Sequence, residues 1–267
     1  MKQTLIRLRR VFLIWGIVAI LVWVAAFLYF KPWSPELGVP GAPKRVLLAQ
    51  IMDFWVLKLP WVLWGFSYTA GKNKWLAPRG RYQEGVDYPV FSPYVYTAIA
   101  LMAALFAASG ILYHQVFDLP AGPAAIGSIF FNPIIAFGTL WIGGTLRAIL
   151  FGQGEPVSWF LTTGLSDGAK NVWLSILYWN FRESKWGKSI WARAALWTVM
   201  HFTLMPATLM LMIVWYLPSN LWAMQASQLW LVQAPTGITA GLAGLFASEA
   251  LISYLERRRP PVAPTIS

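Results

Sequence analysis

The sequence predicts an all-α polytopic membrane protein of about eight transmembrane helices: a six-helix bundle preceded by one or two further N-terminal helices. Three observations carry that expectation. Of 267 residues, 58% are hydrophobic and 12% charged, with a mean hydropathy of +0.55. A soluble domain is about 25% charged and needs that polar surface to stay dissolved. Apolar stretches of about 20 residues or more, enough to cross hydrocarbon, recur along most of the chain. The 21 Lys and Arg outnumber the 10 Asp and Glu, for a formal charge of +11, and they cluster between the apolar stretches. Basic residues gather in this way in the cytoplasmic loops of polytopic proteins, so the excess reads as a topology signal and not as a nucleic-acid surface.

The first stretch, residues 11–30, follows Lys2, Arg7, Arg9 and Arg10 and contains no charge. It is longer than a signal-peptide core and ends in Phe27-Leu28-Tyr29-Phe30 instead of a small-residue cleavage site, so it reads as a retained helix with its N-terminus inside. A Pro/Gly-rich link, 31–43, leads to residues 46–70, where Asp53, Lys58 and Pro60 interrupt the apolar run and Trp55, Trp61 and Trp64 would suit an interfacial helix equally well. A polar linker, 71–93, closes this N-terminal section, residues 1–93. Residues 94–116, 123–151, 157–181, 190–217 and 229–255 then follow as apolar segments of a bundle over 94–256, with a short tail at 257–267.

Residues 123–151 are long for one span and contain Asn132-Pro133, a strong breaker pair. They form either one kinked helix or a hairpin, and charge separates the two. If 46–70 crosses and 123–151 is a hairpin, the inner segments hold Lys2, Arg7, Arg9 and Arg10; Lys72, Lys74, Arg79 and Arg81; Arg182, Lys185, Lys188 and Arg193; and Arg257, Arg258 and Arg259, fifteen of the 21. If 46–70 lies flat and 123–151 crosses once, a six-span arrangement, the score falls to eleven inside against eight outside. The positive-inside rule favours the eight-helix arrangement with both termini in the cytoplasm.

The first helix of the bundle carries Ala100, Ala104 and Ala108 at intervals of four, with Ala103 and Ala107 beside them. Such a stripe lets another helix approach closely, either within the bundle or from a partner. With the Gly-rich run from Phe131 to Arg147, leading into Phe151-Gly152, and with the six-helix N-in topology, it makes residues 94–256 resemble the S component, the substrate-binding membrane subunit, of energy-coupling-factor transporters. The resemblance implies a vitamin-like ligand, a transmembrane scaffold protein docked on Ala100, Ala104 and Ala108, and cytoplasmic ATPases that drive uptake. The first 93 residues and the 17 tryptophans are not part of that family's minimal pattern.

An ionisable group in a span costs at least about 2.5 kcal/mol at the bilayer centre and marks a functional candidate. Arg147 falls toward the outer end of its segment. Asp167 and Lys170, three apart, share one helix face, and with Asn171, Thr162, Thr163 and Ser166 they form the one polar cluster expected in the membrane core. Two readings stand. Asp167 and Lys170 neutralise each other while Arg147 reaches the headgroups, or an outward-facing cavity binds a small solute. In the second, Arg147 or Lys170 takes an anionic or carbonyl group, Asp167 or Asn171 orients a polar ring, and Trp159 or Trp173 supplies a flat wall. His201 and His114 differ in depth by about 15 Å at 1.5 Å per residue, which opposes a shared haem or metal site. Each is read as a packing or interface residue, and Glu249 as close enough to the inner face to reach water.

Several chemistries are missing. Without cysteine there is no disulfide, thiolate metal site or cysteine nucleophile. No phosphate loop, Gly-x-Ser-x-Gly elbow or His-Glu-x-x-His pair occurs. The expectation is therefore a non-enzymatic protein of the cytoplasmic membrane with neither catalytic residues, metal nor cofactor. The alternative, suggested by the tryptophans and the extra N-terminal helices, is an accessory subunit of a multi-subunit membrane complex such as an oxidoreductase or pigment assembly.

Overall fold

A computed structural model describes residues 1–32, 43–110, 119–152 and 155–258, and these are mostly helical with no strand among them. In chain order the elements are α1 (Lys2–Phe30), α2 (residues 43–70), the short α3 (Asn73–Leu76), α4 (Pro93–Ser109), α5 (Ala121–Ile129), α6 (Pro133–Phe151), α7 (residues 156–183), α8 (Ile190–Ile213) and α9 (Ser219–Arg257). Five of them, α1, α2, α6, α8 and α9, are long and apolar enough to cross a membrane, and α4 is a shorter apolar helix. The α-helical body of α7, Gly164–Glu183, has the length of a span but carries Asp167 and Lys170 in its first half. The chain is thus a multi-pass helical membrane protein.

The breaker pair turns the chain where expected. Asn132 caps α6, its side-chain oxygen accepting from the backbone N–H groups of Ile134 (3.0 Å) and Ile135 (3.1 Å), while Pro133 occupies the first turn, where its missing N–H costs nothing. The two arms are unequal, however. The nine residues of α5 rise only about 13.5 Å at 1.5 Å per residue, less than half of a ~30 Å hydrocarbon core. Helix α5 is therefore a half-helix that ends at the turn, and among the described residues five helices have the length and composition of a full crossing. Residues 111–118, which join it to α4, lie outside the described residues, as does His114.

Glycines set two close approaches here. A Cβ on Gly143 of α6 would lie 3.0 Å from the Ala103 carbonyl oxygen of α4, and one on Gly244 of α9 would lie 2.5 Å from the Gly122 carbonyl oxygen of α5. Helix α4 therefore packs on α6 through Val95, Ala98, Met102, Ala103, Phe106 and Ala107, all buried, while Ala100, Ala104 and Ala108 face outward and exposed. Of the two uses open to the stripe, packing within the bundle belongs to its neighbours Ala103 and Ala107.

The N-terminal section is built into the same core. Phe54 and Val62 of α2 and Trp75 of α3 share one apolar cluster with Phe137, Val172, Trp179, Trp197 and Leu245 from the bundle. Helix α1 packs on α2 at Gly16, where a Cβ would meet the Trp61 ring at 2.8 Å, and Trp23 and Phe27 pack on Trp215, while many of its other apolar side chains face outward, as in a helix exposed to lipid.

One end of the bundle collects the basic loops. There the Arg79 side chain donates to the carbonyls of Phe130 (2.5 Å) and Phe131 (3.3 Å), at the tip of the α5–α6 hairpin, and its guanidinium lies 3.4 Å above the Trp179 ring. Burial lowers the Arg79 guanidinium from its ordinary value to about 9, which leaves it a cation at neutral pH. Glu249 does not reach water as expected. It is 2% exposed, accepts from Tyr178 and pairs with Arg182 (3.1 Å) and Arg193 (3.0 Å), because α7 and α8 close over it and its charge must then be matched within the protein.

Candidate binding site

Helix α7 turns one face inward. Asp167, Lys170, Asn171 and Leu174 stand at the i, i+3, i+4, i+7 positions of a helical stripe, and all four line a cavity of about 180 Å³. Asp167 and Lys170 form an ion pair of 2.9 Å across one turn. Both remain partly accessible, so the pair is satisfied and still presents charge to the cavity. The Asn171 amide reaches the Ala124 carbonyl of α5 over 3.5 Å, a weak bond.

The other walls come from five helices, α4 contributing Phe106. Arg147 of α6 runs beneath the end of α4, its Cδ 3.1 Å from where a Gly110 Cβ would lie, and enters the cavity from that side. Pro120, Ala121 and Ala124 bring the first turn of the half-helix to the wall. His201 and the apolar Met205, one turn apart on α8, and Gln233, at the end of a π-helical turn in α9, complete the lining.

Four of the six binding residues expected from the sequence, Arg147, Asp167, Lys170 and Asn171, thus share one cavity, and the two tryptophans are not brought to it. Trp173 lies two residues past Asn171, some 200° around the helix at 100° per residue. It stacks instead on Trp64 of α2 at 5.3 Å. Trp159 sits in a π-helical turn, Trp159–Thr163, with its ring 3.7 Å from where a Cβ on Gly144 of α6 would lie.

Sequence reasoning missed His201 as a cavity residue. It is 7% exposed and stacks on Trp197 with ring centroids 6.1 Å apart, and neither ring nitrogen has a hydrogen-bond partner among the described residues. The residue borders the cavity, while both ring nitrogens are buried.

The polar cluster also extends further than expected. On α2, Lys58 Nζ lies 2.7 Å and 2.8 Å from the two carboxylate oxygens of Asp53, donates to Ser166 Oγ of α7 (2.6 Å) and to the Thr208 carbonyl of α8 (3.2 Å), and Ser166 donates to Asp53 (2.5 Å). Asp53 is 1% exposed and Lys58 8%. A π-helical stretch, Ile51–Lys58, brings residues five apart into register. Among the described residues no group of three or more His, Asp or Glu could hold a metal ion.

No protein-family model, curated protein or solved structure matches this chain.

Proposed function

We propose that the chain is the membrane-embedded binding subunit of an uptake system for a small water-soluble molecule, energised by partner ATPases through a transmembrane scaffold protein. The observation that carries this reading is the cavity inside the bundle. Arg147, Asp167, Lys170, Asn171, His201 and Gln233 converge there, with charge and hydrogen-bonding groups that packing alone does not call for. At about 180 Å³ it is smaller than the ~300–1,000 Å³ of typical ligand pockets, so the solute is of single-ring size. An acidic or carbonyl group of the solute meets Lys170 and Arg147, and a polar ring is oriented by Asp167 or Asn171. The protein sits in the cytoplasmic membrane with both termini inside and the cavity loaded from outside.

The exposed stripe Ala100, Ala104 and Ala108 supports docking. Its neighbours Leu101 and Leu105 are also exposed, so α4 offers a flat apolar face that a scaffold helix can approach closely. Of the tryptophans, which on sequence suit an accessory subunit, Trp75, Trp179, Trp197 and Trp215 fill the interior, while Trp15, Trp55, Trp186 and Trp191 are exposed.

Two variants test the reading separately. Lys170→Met removes the ion-pair donor in the cavity and is expected to abolish stabilisation by the solute, which at a hundredfold excess over Kd amounts to about 2.7 kcal/mol in the wild type. Ala104→Leu is expected to keep that stabilisation while blocking co-purification with the scaffold and ATPases. Assembly unaffected by Leu at Ala100, Ala104 and Ala108 would remove the docking part of the proposal.

A further inference from the structure

We infer a second site, independent of the cavity: a groove at the basic end of the bundle that holds the phosphate of an anionic phospholipid. The groove has a volume of about 600 Å³ and runs between Gly71–Trp75, with Tyr82, and the end of α7 at Arg182 and Glu183. Its charge is one-sided. Lys72 and Lys74 stand on one wall and Arg182 on the other, and Arg9 of α1 reaches its edge, with Nη1 3.8 Å from where a Cβ on Gly71 would lie. The groove's carboxylate, Glu183, already accepts from Trp75 Nε1 at 2.8 Å. Arg182 is turned to Glu249 and Glu256, which leaves the two lysines to meet a ligand. Lys72 is steered by two rings, its Nζ lying 5.7 Å from the Tyr68 centroid and 5.6 Å from that of Trp75.

Position selects a lipid over a dissolved phosphate. The two walls are the ends of two membrane helices, α2 finishing at Ala70 and α7 at Glu183. Just beyond, Trp186 on the α7–α8 connection and Trp191 in the first turn of α8 are 71% and 73% exposed, the placement of interfacial aromatic anchors. Lys72 and Lys74 therefore stand at headgroup depth, where each basic residue adds to the attraction of an anionic headgroup. A phosphate seated between the two lysines leaves its glycerol and acyl chains directed along the outer surface of the bundle.

Native mass spectrometry of the full chain tests this, with phosphatidylglycerol and phosphatidylcholine of matched acyl chains titrated onto detergent-solubilised protein. The wild type is expected to retain phosphatidylglycerol preferentially. Lys74→Gln alone, at an exposed position that folding tolerates, is expected to weaken retention about fivefold, and Lys72→Gln/Lys74→Gln about 25-fold. Lys185→Gln/Lys188→Gln, the same loss of charge elsewhere on this end, is expected to leave retention unchanged, and Lys72→Arg/Lys74→Arg to preserve it. Equal loss in the Lys185/Lys188 pair would reduce the effect to diffuse charge and overturn the site. Equal retention of both lipids would overturn it as well, as would displacement of phosphatidylglycerol by glycerol 3-phosphate at matched concentration, which would make it a soluble-phosphate site.

Discussion

Asp53 and Lys58 show how a single residue pair can be misread from its spacing. Five residues apart, they fall on different faces of a regular α-helix, and in the sequence they only weaken the case for a span. The π-helical stretch Ile51–Lys58 puts them in contact, and Ser166 and the Thr208 carbonyl complete their bonding. No composition rule marks a π turn, so neither the pair nor its link to α7 could be foreseen. Removing one member of a buried pair strands the other charge and costs about 3–5 kcal/mol, whereas replacing both with apolar residues of similar volume is near neutral. Asp53→Leu is therefore expected to be strongly destabilised in thermal unfolding in detergent, and Asp53→Leu/Lys58→Met to recover most of the loss. His201 packs in the interior, and that it also borders the cavity depends on where α5 and α9 lie, which counting residues along α8 does not give.

Helical elements were readable where one periodicity decides them. Asp167, Lys170 and Asn171 share a face by spacing alone, and Asn132-Pro133 turns the chain because Asn caps and Pro starts a helix. The shortness of α5 was legible too, since about ten residues separate the start of the segment at 123 from Asn132-Pro133, and the helix begins two residues earlier, at Ala121. Its packing makes a prediction. Gly244→Ala would put a Cβ 2.5 Å from the Gly122 carbonyl oxygen and must push α5 away from α9. A loss of about 1–3 kcal/mol in stability is expected. Solute affinity should fall with it, because Pro120, Ala121 and Ala124 form part of the cavity wall. Thermal unfolding and a binding titration on the same variant check both. Trp173 carries the complementary lesson: an aromatic close in sequence to binding residues faces another helix when it lies 200° around its own.

Over the whole molecule, the distribution of Lys and Arg foreshadowed which loops would meet. Segments assigned inside by charge do gather at one end, where Lys2 bonds Asn73 and Asp87, Arg79 holds the hairpin tip, and Arg182 and Arg193 share Glu249. The natural absence of cysteine makes the orientation testable. In intact cells, single cysteines at Asn73 and Ser184 are expected to resist a membrane-impermeant maleimide, and one at Ser219 to react; the reverse pattern would invert the topology. The central claim is that the cavity binds a solute. Its most direct measurement is native mass spectrometry of wild type and Lys170→Met after equilibration with a cell extract. The account predicts a small-molecule adduct on the wild type that is absent from a folded Lys170→Met variant; an identical adduct on both, or none on either, would contradict it.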